Sequence, residues 1–436
     1  MDITSVDWTI AELAAGLFLI VCFLCYRLLQ KRRYLILLLW PVVIYFCGPA
    51  VTMMFEDAPV LGRYVFSRNV TAETLLMLTY VVGLVLADWF LDISAVIRSS
   101  FQSESIRQLA RSPLFLWIFV PAALAAAALQ TKMLLDFGSI FSGVYTLSFV
   151  DEGLIPYWGF LAGLYEIIFV LFVLFILGGQ KAGLRWVVIG LYALTAALRV
   201  ASGTRMILVK ELAVVLILFD LEGSIRRSRL VIASLVIVVA GSAVGLARGG
   251  GGVGAFLGPL FGIGMESGLN ALTLNVAYQV QDSGYVMHHA NIQDTLEFVA
   301  VSAIPKFLRF GITPAALDAL SPYNAALGYG FDSYQPVGAM SGFATLCYLS
   351  SDPFLATVAL VAGIVLFLKL APGGPLKQIV TLIFCISALH FWRDPIDIAV
   401  KNTLQGVLCA VALGCLPAFR SRRVSGADAR PAALAG

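Results

Sequence analysis

Charge is what this chain has least of: Asp, Glu, Lys and Arg make up only 13% of its 436 residues, and three histidines are the remaining titratable bases near neutrality. A soluble domain carries about 25% charged residues because its surface must be solvated. Half that density, combined with 60% hydrophobic residues and a mean hydropathy of +0.91, leaves lipid as the solvent for most of the surface. Also missing is a basic stripe or a basic helix outside the apolar segments. The net charge is only +3, so nucleic-acid binding lacks its electrostatic footprint. No carboxylate cluster of the D-x-D kind is present to hold Mg²⁺. The seven cysteines fall almost entirely inside apolar segments, where a thiol behaves as a small hydrophobe. Cys22 and Cys25 have C-x-x-C spacing but no second ligand pair, which argues against a metal or redox site. The first apolar stretch, Ile10 to Leu29, has no basic run before it and no small-residue cleavage site after it. It reads as a retained helix, not a removable signal.

What is there is a series of long apolar runs. About 20 such residues cross a hydrocarbon core about 30 Å thick, and helices are the default because each satisfies its own amides. The runs predict an all-α polytopic integral membrane protein with about eleven spans. These are Ile10–Leu29, Tyr34–Phe55, Thr74–Leu91, Leu114–Gln130, Trp158–Leu177, Trp186–Ser202, Met206–Leu221, Leu230–Ala247, Phe354–Leu370, Gln378–Phe391 and Ile396–Phe419. The chain then divides into an N-terminal group of about eight spans (1–248), a long loop (249–335), a C-terminal group of about three spans (336–419) and a disordered tail (420–436). Apolar runs in and just after the loop, Phe298–Ile304 and Ala339–Leu349, are too short to span and are expected to lie flat or re-enter.

Orientation follows from lysine and arginine. Met1–Trp8 carries Asp2 and Asp7 and no basic side chain, so the N-terminus is placed outside. Most of the 29 basic residues then fall on the cytoplasmic side, among them Lys31–Arg33, Arg98, Arg107, Arg111, Arg226, Arg227 and the tail arginines. The C-terminus is inside, and the long loop is periplasmic if the membrane is a bacterial inner membrane.

A charge inside a bilayer costs about 2.5–3.5 kcal/mol on insertion scales and persists only with a partner or a purpose. The informative charges are therefore those outside the cytoplasmic set. Arg199 and Arg205 flank Ser202-Gly203-Thr204 at an outer hairpin, where guanidinium groups and a helix N-terminus suit an anion; snorkelling to headgroups is the plainer alternative. Arg248 ends its span before four glycines, and serves a lipid phosphate or a cavity equally well. Lys306 and Arg309 would share one face of a loop helix, either a cationic site or an interfacial helix. His390-Phe-Trp-Arg393-Asp394-Pro395 is the densest polar cluster near the bilayer, although Arg393–Asp394 also fits a local ion pair ending a helix. Glu166 lies midway through its span and reads as a carboxylate that neutralises Lys210 or an arginine. His288–His289 suits a proton acceptor on the loop, though adjacent loop histidines are usually incidental.

In order and topology these segments resemble the Wzy-type oligosaccharide repeat-unit polymerases, the O-antigen and exopolysaccharide polymerases of bacterial inner membranes. The resemblance rests on Ser202-Gly-Thr-Arg205 opening a helix, on Ala303-Ile-Pro-Lys306 followed by Gly328-Tyr-Gly-Phe-Asp-Ser and a Gly/Ala-rich apolar run, and on Phe391-Trp-Arg393-Asp394 before the last span. It runs from about Arg199 to Leu416, and Arg393-Asp394-Pro395 lacks the glycine that accompanies the arginine in that element. The resemblance implies transfer of a glycan from undecaprenyl pyrophosphate to an incoming lipid-linked repeat unit at the periplasmic face, without metal or cofactor. It implies that Arg205 binds the donor pyrophosphate and that Arg309 or Arg393 stabilises charge, with Arg199, Arg248 and Lys306 as further binding cations. It implies a base among His390, His288 and Glu266, and a chain-length regulator and a flippase as partners. O-antigen ligases share the arginine logic but transfer to lipid A core, and a lipid-linked oligosaccharide transporter is the alternative from another class.

Overall fold

The computed structural model describes residues 8–42, 69–112, 114–139, 154–178, 182–202, 205–223, 301, 352–393 and 396–415. The expected eighth span, the long loop apart from residue 301, the tail and the second half of the expected second span lie outside these residues. All regular structure among the described residues is helical. The helices are α1 (Trp8–Gln30), α2 (Asn69–Leu91), α3 (Ile93–Phe101), α4 (Glu104–Ala110), α5 (Leu114–Phe137), α6 (Trp158–Gly178), α7 (Ala182–Ala201), α8 (Arg205–Leu221), α9 (Pro353–Leu370), α10 (Pro375–Ile386), α11 (Ala388–Arg393) and α12 (Ile396–Cys415). Residues 36–42 are also helical.

Among the described residues, α5, α6 and α7 are long and apolar enough to cross a membrane, and a bent pair beginning with α2 makes a fourth if counted as one span. Parts of α1 and α12, and most or all of α9 and α10, are apolar but shorter. A membrane protein of several helical spans is what these lengths support; the fuller count of about eleven rests on the sequence.

Two expectations change. The stretch between the third and fourth expected spans is not simple loop but holds α3 and α4. In α3 the residues Ile93, Ile97, Ser100 and Phe101 are buried, at helical spacing, while Arg98 is exposed. Asp92, at φ +46°, ends α2, and the chain bends there by 83°. Ser103 caps α4 by accepting from the Ile106 amide. The expected span Gln378–Phe391 is likewise not one helix: it breaks at Ser387 into α10 and the six-residue α11, where the His390 amide donates to the Ser387 carbonyl at 2.9 Å. The hydropathy of 378–391 is continuous, so a span read from hydropathy alone passes over the break.

The chain forms two compact units, each assembled from non-adjacent segments: Met1–Arg98, Val209–Ala371 and Phe384–Thr403 in the first, Ser99–Leu208, Pro372–Ile383 and Leu404–Gly436 in the second. In the second, α6 is the core. It is apolar all round, and 61% of its best spanning window is buried, against 33% for α5 and 22% for α7. Phe172 stacks on Tyr192 of α7 at 3.8 Å, and Phe115 of α5 lies 6.1 Å from Phe175. A side chain at Gly406 of α12 would meet side-chain carbons of Ile383 at 3.0 Å and of Val170 at 3.1 Å, so the glycine leaves room for those two side chains. A Cβ on Gly178 would overlap the Ala110 Cβ at 2.3 Å. That close approach seats α4 on the end of α6, where Arg111 Nε donates to the Gly178 carbonyl at 3.1 Å.

In the first unit α2 packs on α9 and, less extensively, on α1. Helix ends assigned to the cytoplasm meet in a polar clamp. Arg33 donates to Asp88 Oδ2 through Nε and Nη2 at 3.1 and 2.9 Å, and reaches Asp92 at 3.0 Å. Asp88 also accepts from the Ser94 amide at 2.7 Å, Ser94 Oγ accepts from the Leu35 amide at 3.0 Å, and the Tyr34 hydroxyl bonds Glu222 beyond α8. The ends of α1, α2 and α8 therefore lie together in this unit.

Candidate functional site

The first unit holds a buried basic pair. Lys210 is fully buried on α8, five residues beyond Arg205 in a mostly apolar helix. Its Nζ lies 2.6 Å from Nε2 of His390, itself 4% exposed. The break at Ser387 gives His390 its own short helix. Two residues on, Trp392 is buried and packs edge-on against Tyr80 of α2, with ring centroids 5.0 Å apart. From α12 the amide nitrogen of Asn402 lies 3.4 Å from Nε2 and 3.5 Å from Nδ1. Glu211, adjacent to Lys210, is also fully buried. Three helices thus bring a lysine amine, an imidazole and an amide together, the first two out of water, where a polar contact is stronger than in solution and costly to leave unmade.

A second buried cation belongs to the other unit. Arg199, near the end of α7, is 2% exposed and its guanidinium lies over the Tyr165 ring, 4.3 Å from the centroid. The Tyr165 hydroxyl donates to Gln130 Oε1 of α5, and Gln130 is fully buried. Ser202 Oγ donates to the Arg199 carbonyl at 2.8 Å and ties down the last turn of α7. Arg199 is therefore a buried residue stacked on an aromatic ring, not an arginine snorkelling to headgroups.

Of the residues singled out in the sequence, His390 and Arg199 lie in these clusters. Arg205 is the first residue of α8 and Arg393 the last of α11. Glu166 is buried on α6. Arg248, Glu266, His288, Lys306 and Arg309 lie outside the described residues. Lys210 was legible only as a charge for Glu166 to neutralise, and its contact with His390 spans 180 positions of sequence. Asn402, Tyr165 and Gln130 went unremarked; Asn402 and Gln130 are polar residues in or at the edge of apolar spans, a signal that was available. A scan against protein-family models and searches among curated proteins and solved structures find no match for this chain.

Proposed function

We propose that the protein is a membrane glycosyltransferase that polymerises lipid-linked oligosaccharide repeat units, passing the growing glycan from undecaprenyl pyrophosphate to an incoming acceptor. The observation that carries this reading is the buried Lys210–His390–Asn402 cluster. It lies at helix ends that the lysine and arginine bias assigns to the periplasmic leaflet, within the C-terminal segment that resembles the polymerases. A buried ammonium and imidazole in a lipid-facing protein need a purpose, since an apolar pair of the same size would be cheaper to insert. Arg205 opens the helix that carries Lys210, and Arg393 closes the six-residue helix that carries His390. In this reading Arg205 binds the diphosphate, and Arg309 or Arg393 stabilises the charge that develops as it departs, in place of a metal. The acceptor hydroxyl attacks the anomeric carbon, the bond to the diphosphate oxygen breaks, and a base drawn from His390, His288 and Glu266 takes the proton.

Deletion of the gene, followed by gel analysis of surface glycan, tests the class. Loss of long chains with single repeat units retained is the expected result. Arg205→Ala and Arg309→Ala are each expected to abolish polymer at unchanged protein level, and normal chain lengths in both would remove the diphosphate site. Purified protein given two lipid-linked repeat units is expected to make a polymer ladder. Product formed only on lipid A core would indicate a ligase, and transport across proteoliposomes without covalent product would indicate a transporter.

A further inference from the structure

At 23 residues, α2 is about 34 Å long and crosses a hydrocarbon core about 30 Å thick by itself. Its last turn leaves Trp89 and Phe90 76% and 77% exposed, with their rings stacked at 5.9 Å, in the position where aromatic belts mark the membrane–water boundary. Directly afterwards the chain turns by 83° at Asp92, whose carboxylate Arg33 holds at 3.0 Å. A helix leaving a spanning helix at that angle runs along the membrane, not through it. Within the other unit α4 indicates the same level. It is seated on the end of α6, a 21-residue helix of spanning length, where Arg111 bonds the Gly178 carbonyl. Only Gln102 and Ser103 separate α3 from α4. Along the two helices Ile93, Ile97, Phe101, Ile106 and Leu109 are buried, whereas Ala95, Arg98, Ser99, Glu104 and Gln108 are exposed. Re-entry into hydrocarbon would bring those charged and amide groups into lipid, where they are expensive.

We propose that α3 and α4 form an arm lying flat in the phospholipid headgroup layer, with its apolar face on the protein and its polar face on the headgroups. The charges suit that layer. Arg98 is exposed and Arg107 half-buried, and a guanidinium donates in bidentate fashion to a phosphate. Glu104 is the one carboxylate between Ile93 and Arg111. The partner is therefore the bilayer surface, and the lysine and arginine bias makes the cytoplasmic leaflet the expected one. The arm follows from the length and direction of helices, whatever reaction the protein catalyses.

Depth measurement by nitroxide relaxation tests this on the full-length protein in nanodiscs of phosphatidylethanolamine and phosphatidylglycerol. The seven native cysteines are replaced by serine, and single labels are placed by Ser99→Cys, Gln108→Cys and, as a reference near the middle of α2, Val82→Cys. Collisions with oxygen report hydrocarbon, and collisions with a water-soluble nickel complex report water. The label at 82 is expected to be oxygen-dominated. Those at 99 and 108 are expected at one common depth, within about 5–10 Å of the boundary between headgroups and acyl chains. Oxygen-dominated relaxation that deepens from 99 to 108 would show re-entry and overturn the proposal. Nickel collisions at both sites as frequent as in bulk water would also overturn it, since the arm would then stand clear of the lipid. If the serine background fails to fold, benzoylphenylalanine at 99 and 108 in the chain with its native cysteines decides the matter. Photo-adducts on headgroup or glycerol carbons are expected, and adducts on acyl chains alone, or on no lipid, would overturn the arm.

Discussion

Tyr165 shows how a single hydroxyl bears on a membrane core. Its ring supports the Arg199 guanidinium, and its hydroxyl donates to the fully buried Gln130. Tyr165→Phe keeps the ring, and so keeps the cation–π contact, but removes that donor from Gln130 Oε1. A buried polar atom that loses its hydrogen bond costs about 1–3 kcal/mol. The variant is expected to melt several degrees below wild type in detergent. Tyr165→Phe combined with Gln130→Leu should recover much of the loss, because then no orphaned amide remains. A melting point unchanged by the single substitution would mean that Gln130 has other donors enough. His390 and Lys210 follow the same logic with higher stakes, since both carry potential charge and each has the other within 2.6 Å.

The helices owe their meeting points to small residues as much as to large apolar ones. Lipid tails are as apolar as leucine, so close packing between helices has to come from shape. At Gly178 the approach of α4 is so close that any side chain collides with Ala110. Gly178→Ala is expected to push α4 off α6 and to weaken the Arg111 bond to the Gly178 carbonyl, at a cost of about 1–3 kcal/mol for overpacking. Ala110→Gly removes the atom that is struck, and the double variant should regain most of the stability. Failure of that rescue, measured by thermal unfolding of each purified variant, would place the strain elsewhere. The break at Ser387 illustrates a different point: a short helix between two longer ones gives His390 and Trp392 directions that a continuous span would not.

For the molecule as a membrane protein, the testable quantity is sidedness. Arg33, Asp88, Asp92, Ser94 and Glu222 meet in one clamp, so the ends of α1, α2 and α8 are expected to share a compartment. By the lysine and arginine bias that compartment is expected to be the cytoplasm. Reporter fusions truncated after Gln30, Gln102 and Glu222 are expected to be active only as cytoplasmic reporters. Fusions within 139–153 and after Ser202 are expected to be active only as periplasmic ones. The opposite pattern throughout would invert the topology and move the Lys210–His390 cluster to the wrong face for a periplasmic reaction.

The helical membrane character was legible from composition and run length alone, because the hydrocarbon core penalises unpaired amides and exposed charge in any arrangement of the chain. The described ends of the expected spans fall within a few residues of the helices for Trp158–Gly178, Arg205–Leu221 and Pro353–Leu370, where apolar runs stop at turn residues or charge. His390 and Arg199 were also legible, as polar groups where polar groups are expensive. The partners of those groups were not. Lys210 and His390, or Gln130 and Tyr165, sit on separate helices, and no periodicity within a helix says which neighbour it will face. Only packing decides that: glycines at 178 and 406 leave room for the side chains packed against them, and the turn at Ser387 sets where an imidazole points.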